Sequence, residues 1–344
     1  MKKILFINTG GTISSSYQEH GLTPTQNAES ILTEIPELLE ICEIDACDLM
    51  SMDSTNTQPE DWAVIARMVN RDLPHYDGIV IAHGTDTMAY TASALSFMLG
   101  TLNKPVVLTG SQVSILAENS DSKKNVIDSF LTACGEVPGV FVVFNGKIIN
   151  GPRSSKIRTR SYNAFESINY PYIGLVEDGN VQYDRSLKAA HPEGHVYDDR
   201  YCAEVFLLRL IPGTNPGIFD AIQSLGYKGI VIEGFGLGGV PFKERSLIDK
   251  IEQLMREGMS IAVTTQCPYE GGDLTIYEVG QKVLEKGVIP GYDMTTEALV
   301  TKMMWALGQT SSPEEVKQIM ATNYVNEVSL PAVQPVNQPS SQHS

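Results

Sequence analysis

Ile4-Leu5-Phe6-Ile7-Asn8-Thr9-Gly10-Gly11-Thr12-Ile13 runs from four apolar residues into a glycine-rich segment that carries threonines. The same order recurs in Ile79-Val80-Ile81-Ala82-His83-Gly84-Thr85-Asp86-Thr87. Short continuous apolar runs that end at glycine read as strands buried on both faces, as in a parallel sheet. Each run then presents threonine hydroxyls at the carboxyl end of a strand, where open α/β sheets build their ligand sites. Two threonines, an adjacent carboxylate and backbone N–H groups are the parts of a nucleophile, its activator and an oxyanion hole.

Outward from these runs, strand-like and helix-like stretches alternate. Helices are expected over Asn27–Ile41, Pro59–Arg71, Ala89–Leu99 and Lys124–Cys134. Strands are expected over Gly78–Ala82, Lys104–Thr109 and Val140–Phe144, the last turning at Gly146-Lys147 into Ile148-Ile149. This alternation predicts an α/β fold with a doubly wound, mostly parallel sheet. The pattern lapses over 184–201, where Pro192, Gly194 and Asp198-Asp199 mark a linker. It resumes with strands at Val205–Leu210, Gly229–Glu233 and Ser260–Thr265, and helices near Gly217–Leu225, Glu244–Glu257, Thr296–Leu307 and Pro313–Met320. The expected division is a catalytic α/β domain over 1–183, the linker, a smaller α/β domain over 202–329, and a disordered Pro/Gln/Asn/Ser-rich tail over 330–344.

The chain has 344 residues and a net charge of −16, which argues against binding a nucleic-acid backbone. Its five cysteines (Cys42, Cys47, Cys134, Cys202 and Cys267) contain no C-x-x-C pair. They suggest neither a disulfide framework nor a zinc site, and point to a reducing compartment. Lys2-Lys3 before Ile4–Ile7 resembles the start of a signal peptide, but Asn8 ends the apolar stretch too early for one. No stretch approaches transmembrane length, so no membrane association is expected.

Each candidate side chain has an ordinary structural reading beside the functional one. Gly10-Gly11 alone is a tight turn with Thr12 as a cap, yet that does not predict a second threonine loop at Thr85-Asp86. A threonine hydroxyl needs a base; Asp86 could orient one, and a lysine with its pKa lowered by desolvation could serve. Lys156, in Arg153-Ser154-Ser155-Lys156, is the candidate; otherwise it is a surface lysine. Asp53-Ser54-Thr55 reads equally as an Asx turn and as a polar clamp for a substrate's charged ends. Gly234-Phe235-Gly236-Leu237-Gly238-Gly239 matches the G-x-G-x-x-G spacing of dinucleotide sites. No carboxylate ends the next strand, so a close-packed turn is the better reading. His191 and His195 are four apart, but Pro192 and Gly194 exclude a zinc-binding helix, leaving solvated linker residues. His83 at a strand end reads as structural, and Tyr277 as a core or interface aromatic.

The two glycine–threonine segments, in this order, resemble the paired signatures of bacterial-type L-asparaginases. The resemblance extends through Asp53-Ser54-Thr55, Lys104-Pro105-Val106-Val107, Gly110-Ser111-Gln112 and Glu166-Ser167-Ile168-Asn169-Tyr170. It continues into Thr264-Thr265-Gln266-Cys267 and Met304-Trp305-Ala306-Leu307-Gly308-Gln309, and is nearest the cytoplasmic type I branch. It implies hydrolysis of L-asparagine to L-aspartate and ammonia with no metal or organic cofactor. It implies Thr12 as the acylated residue and Thr85, Asp86 and Lys156 as the activating cluster. Gly11, Asp53, Ser54, Thr55, Gly84 and Ser111 would contact substrate. A homodimer or homotetramer is implied, with Tyr277 reaching a neighbouring subunit's site.

Three positions depart from the family pattern. Leu22 stands where many members have a tyrosine, so Tyr17 or another loop group would accept the Thr12 proton. Gly239 stands where many have an asparagine that reaches the partner, leaving that contact to Tyr277. Glu233 stands where an allosterically regulated relative has an arginine, and a carboxylate does not grip an effector's carboxylate. Asparagine allostery is therefore expected to be weak or absent. Three alternatives stay open. One is a broader glutaminase–asparaginase. Another is an amidase subunit that feeds ammonia to transfer-RNA amidation; such relatives carry an extra amino-terminal domain, whereas this sequence starts at the catalytic strand. The third is a non-catalytic nucleotide-binding module using Gly234–Gly239.

Overall fold

The computed structural model describes residues 1–18, 21–187 and 194–329; at 16–18, 21, 22 and 24 it describes the backbone alone. The expected tail, most of the linker's first half including His191, and the side chains of Tyr17 and Leu22 lie outside the described residues.

The chain opens with β1 (Lys3–Gly10), followed by a hairpin of β2 (Ser15–Gln18) and β3 (Gly21–Pro24). The helix expected over Asn27–Ile41 is two, α1 (Ala28–Thr33) and α2 (Leu38–Ile41). Pro36 between them has no N–H to continue the ladder. Next come β4 (Glu43–Met52), α3 (Pro59–Asp72), β5 (Gly78–Ala82), α4 (Met88–Met98), β6 (Pro105–Thr109), α5 (Ser122–Ala133) and β7 (Gly139–Phe144). Asn145 and Gly146 both have positive φ, 50° and 78°, which matches the twist of a tight hairpin into β8 (Lys147–Asn150). Four short strands complete this half: β9 (Ser154–Lys156), β10 (Phe165–Ser167), β11 (Gly174–Glu177) and β12 (Asn180–Tyr183).

The larger sheet has the order β12-β11-β8-β7-β6-β5-β1-β4. Its β4, β1, β5, β6 and β7 are parallel, and the far edge is antiparallel. Alternate residues of each strand face opposite layers. Leu5, Ile7, Ile79 and Ile81 pack under α3 and α4 with Ile65, Val69 and Leu95. Ile4, Phe6 and Val80 pack under α1 and α5 with Ile31, Val126 and Phe130. Helices on both faces make this the doubly wound sheet that the sequence predicts.

The second unit contains β13 (Val205–Arg209), α6 (Ile218–Ser224), β14 (Gly229–Gly234), α7 (Ile248–Arg256), β15 (Ser260–Thr265), α8 (Glu278–Leu284), β16 (Ile289–Pro290), α9 (Thr296–Gln309) and α10 (Pro313–Ala321). Its four strands are all parallel, in the order β13-β14-β15-β16. The helix expected from Glu244 begins only at Ile248, after Arg245 adopts φ 53°. The G-x-G-x-x-G segment closes on itself through a Phe235–Gly239 bridge and opens no helix, so it is the close-packed turn.

The reading of His195 as solvated is corrected. It is 5% exposed, its Nε2 lies 3.0 Å from the Phe97 carbonyl, and its ring packs against Trp305 and Tyr324. The linker's second half folds back over α4 and α9: Asp198 N–H donates to Met98 O (2.8 Å) and Trp305 Nε1–H to Asp198 O (3.1 Å). Among the described residues no helix is long and apolar enough to cross a membrane.

Candidate active site

Sheet order brings the candidate residues together. β4, β1, β5 and β6 are consecutive neighbours and parallel, so the loops after them emerge side by side at one edge. Those loops carry Asp53–Thr55, Gly11-Thr12, Gly84–Asp86 and Ser111 in turn.

Glycine lets the loops after β1 and β5 touch. Gly11 has φ 87°, and a Cβ there would lie 2.5 Å from both Cα and N of Gly84. Gly10, at φ 106°, is pressed as closely against Met52 at the end of β4. Only glycine combines this conformation with this approach. The Gly11 N–H donates to Met52 O (2.9 Å), and its carbonyl accepts from the Ser14 and Ser15 hydroxyls (3.0 and 2.8 Å). Gly10 N–H donates to Asn8 Oδ1 (3.1 Å). These two N–H groups are therefore engaged internally rather than facing an oxyanion. Gly11 contributes close approach: it sets Thr12 at the head of a short 3-10 turn, Thr12–Ser14, beside the Thr85 loop. Thr12 is partly exposed, and its hydroxyl makes no hydrogen bond among the described residues.

The Gly11→Ala variant is expected to lose about 1–3 kcal/mol from backbone strain alone. Pushing the loops apart by about an ångström should also cost roughly 10²-fold in turnover. Denaturant melts and amidase rates measure both. Wild-type values in both would show that the loops need not touch.

Thr85 is buried and lies at the centre of a polar cluster. Lys156 Nζ is 2.7 Å from Thr85 Oγ1 and 2.6 Å from Asp86 Oδ1. The Thr85 hydroxyl donates to Gln112 Oε1 (3.2 Å), and Gln112 Nε2 donates to Ser161 O (3.3 Å), which fixes the amide's orientation. Lys156 arrives from β9, and its side chain is only 16% exposed, so it is not the freely solvated lysine of the ordinary reading. Hydroxyl, amine and carboxylate thus lie in series within hydrogen-bond reach, the geometry that a proton relay requires.

Asp53 makes the Asx turn: its Oδ1 accepts from both the N–H and the hydroxyl of Thr55 (2.9 Å each). Ser54 ties this segment to the loop after β5. Its Oγ accepts from Asp86 N–H (3.2 Å), and its carbonyl accepts from the Thr87 hydroxyl (2.7 Å). Asp53 and Thr55 remain exposed. Ser111 is buried and donates to Val113 O (2.6 Å). His83 is structural. Its Nδ1–H donates to the Gly84 carbonyl (2.7 Å), its Nε2 faces the Thr91 hydroxyl (3.0 Å), and burial pushes the imidazole below its ordinary value.

Tyr277 is not part of this cluster. It is 61% exposed and lines a groove of about 700 Å³ in the second unit with Phe235, Leu237, Val240 and Phe242. Gln112 enters the sequence reading only as part of a motif, and its hydrogen bond with Thr85 gives it a place in the site. Its position just after β6 is the signal that could have found it. Among the described residues no group of three or more His, Cys, Asp or Glu side chains is placed to hold a metal ion.

The asparaginase N-terminal family matches residues 3–189, and the glutaminase/asparaginase C-terminal domain matches residues 204–320. An L-asparaginase of Thermococcus kodakarensis is 43% identical over 327 residues, covering 95% of this chain and 99% of that one. A component of the glutamyl-tRNA(Gln) amidotransferase of Pyrococcus abyssi is 39% identical over 341 residues, covering 95% of this chain and 77% of the relative. The solved thermostable L-asparaginase of Thermococcus kodakarensis superposes with a TM-score of 0.88 at 42% identity, over 96% of this chain and 100% of that one. L-asparaginase I of Vibrio cholerae superposes at 0.85 and 30% identity, over 96% and 99%. The chain belongs to the asparaginase family.

Proposed function

We propose that this protein hydrolyses L-asparagine to L-aspartate and ammonia through an acyl-enzyme on Thr12. The observation that carries the reading is the Gly11–Gly84 contact, which sets the Thr12 loop against a Thr85 hydroxyl already bonded to Lys156. Thr12 Oγ attacks the side-chain amide carbon, and its proton passes to an acceptor in the loop. The amide nitrogen takes a proton and leaves as ammonia. Water, deprotonated through Thr85 and Lys156, then cleaves the Thr12 ester and frees aspartate. Asp53, Ser54 and Thr55 hold the α-amino and α-carboxylate groups, making the attack effectively intramolecular.

The 39% identity to an amidotransferase component keeps a second reading in view, in which glutamine is also cleaved. One methylene separates the two substrates, a difference that pockets resolve by only about 1–3 kcal/mol. The division at 1–183, 184–201 and 202–329, a cytoplasmic location and a homodimer or homotetramer are parts of the same proposal. The open position of the Asp86 carboxylate and of Tyr277 supports a site completed by a second copy of the chain.

Ammonia release from asparagine and glutamine tests the reading, with NAD binding as the contrasting assay. Saturation is expected to be hyperbolic. Glu233 already holds Arg209 (Oε2, 3.0 Å) and the Thr296 hydroxyl (Oε1, 2.6 Å). A sigmoidal curve with a second asparagine bound elsewhere would contradict that expectation.

A further inference from the structure

Lys156 ends a three-residue strand that belongs to neither large sheet. Among the described residues β9 pairs only with β10, through Ser154–Ser167, Ser155–Glu166 and Lys156–Phe165. Beyond Lys156 the backbone enters an exposed loop, 157–162. A two-stranded ribbon of this length has little stability of its own. Its register must therefore be held from outside.

The hold comes from the second unit. Arg153, fully buried, donates to Asn326 O (2.7 Å), Asp293 Oδ2 (3.0 Å) and Ser329 Oγ (3.1 Å). Thr295, the N-cap of α9, donates its hydroxyl to Pro152 O (3.2 Å). Ser155 donates its hydroxyl to Glu297 Oε1 (2.7 Å), in the first turn of α9. Successive strand side chains point to opposite faces. Ser155 thus turns to α9 while Lys156 turns to Thr85 and Asp86.

We propose that Glu297 is a positioning residue for Lys156, acting through the Ser155 hydroxyl. The proposal rests on the reading of Lys156 given above and adds that the second domain sets where its amine sits. The surroundings suit a carboxyl that serves as an acceptor rather than as a counter-ion. Burial raises the Glu297 carboxyl above its ordinary value, with Glu233 adding to the shift. Burial beside both carboxyls pushes the Tyr90 phenol, on α4, up to about 12. Glutamine keeps the accepting oxygen and the shape, so it should replace glutamate here.

The test is steady-state ammonia release by the full chain and its variants. Ser155→Ala and Glu297→Ala should each lower kcat roughly 10- to 100-fold, the range for misplacing a reacting group by a fraction of an ångström to an ångström. KM for asparagine should stay within about twofold, because the Asp53–Thr55 clamp is untouched. Glu297→Gln should restore kcat to within about threefold of wild type. The double variant Ser155→Ala/Glu297→Ala should be no worse than the poorer single variant, as for two groups in one contact. If Glu297→Ala does not fold, Ser155→Ala decides alone. Wild-type kcat in Ser155→Ala, a loss confined to KM, or failure of Glu297→Gln to rescue a folded Glu297→Ala overturns the proposal. Lys156→Met separates the levels: if it is inactive while Ser155→Ala is unimpaired, only the positioning role falls. If Lys156→Met is fully active, the parent reading falls with it.

Discussion

Lys156→Met is expected to lower kcat/KM for asparagine by about 10²–10⁴-fold, the usual worth of a positioned proton-transfer group. Thr12→Ala should lose more, at least roughly 10³-fold, because it removes the proposed nucleophile. Geometry sets the first expectation. Lys156 Nζ lies 2.7 Å from Thr85 Oγ1, and Asp86 holds the amine from the other side at 2.6 Å. Methionine fills similar volume without a proton to give or take. Asp86 is already half open to solvent, so losing its partner leaves no buried charge behind. A folded variant with lost turnover and an unshifted melt would therefore report chemistry. Stopped-time ammonia assays beside denaturant melts separate the two. Activity within about threefold of wild type in either variant would remove that residue from its role.

The largest stability effect is expected far from the reacting groups, at Lys302 and Glu327. Neither side chain has any solvent exposure. Lys302 Nζ donates to Glu327 Oε1 (2.6 Å), Thr322 O (2.6 Å) and Met320 O (3.1 Å), and lies 5.4 Å from the centre of the Tyr324 ring. Glu327 in turn accepts from the N–H groups of Tyr324 and Val325 (3.0 and 2.8 Å). Burial lowers the Lys302 amine from its ordinary value, and Glu327 opposes that shift. The amine's three donors and both carboxylate oxygens are met, which is the condition for keeping such a pair inside a protein. Lys302→Met strands the carboxylate and two carbonyls, and should cost about 3–5 kcal/mol. The double variant Lys302→Met/Glu327→Gln should recover much of the loss, because glutamine still accepts from the backbone N–H groups without a net charge. Urea unfolding midpoints measure this. An unchanged midpoint for Lys302→Met would mean that the pair is not formed.

The strands that fix the architecture are legible because they are buried on both faces. Ile79–Ala82 and Val106–Thr109 have no exposed residue, so the chain must write them as unbroken apolar runs. β4 shows in the sequence only as a short apolar stretch. It is the edge strand, half-exposed with acids at Glu43, Asp45 and Asp48, and such a strand resembles a loop in composition. β9 and β10 escape notice because three residues carry no period, although one of them is Lys156. His195 misleads for a related reason. Its neighbours Pro192 and Gly194 describe a linker, whereas its burial depends on Phe97, Trp305 and Tyr324, which lie far off in sequence.

At the site, residues placed by local chemistry are legible and those placed by long-range packing are not. Glycines at strand ends announce Thr12 and Thr85, and the Asx turn at Asp53 follows from its own sequence. Lys156 is reachable with any force only through the family resemblance, since nothing near it signals that it crosses to Thr85. Glu297 has no signal at all: its meaning comes from Ser155, which is 142 residues away.

The most direct measurement is to quench the enzyme in acid during turnover of asparagine and map any acylated residue by mass spectrometry. An aspartyl ester is expected on the peptide that carries Thr12, and it should be absent from Thr12→Ala. An ester on Thr85 instead, or steady ammonia release with no acylated residue under conditions that trap a known acyl-enzyme, would contradict the assignment of Thr12 as nucleophile.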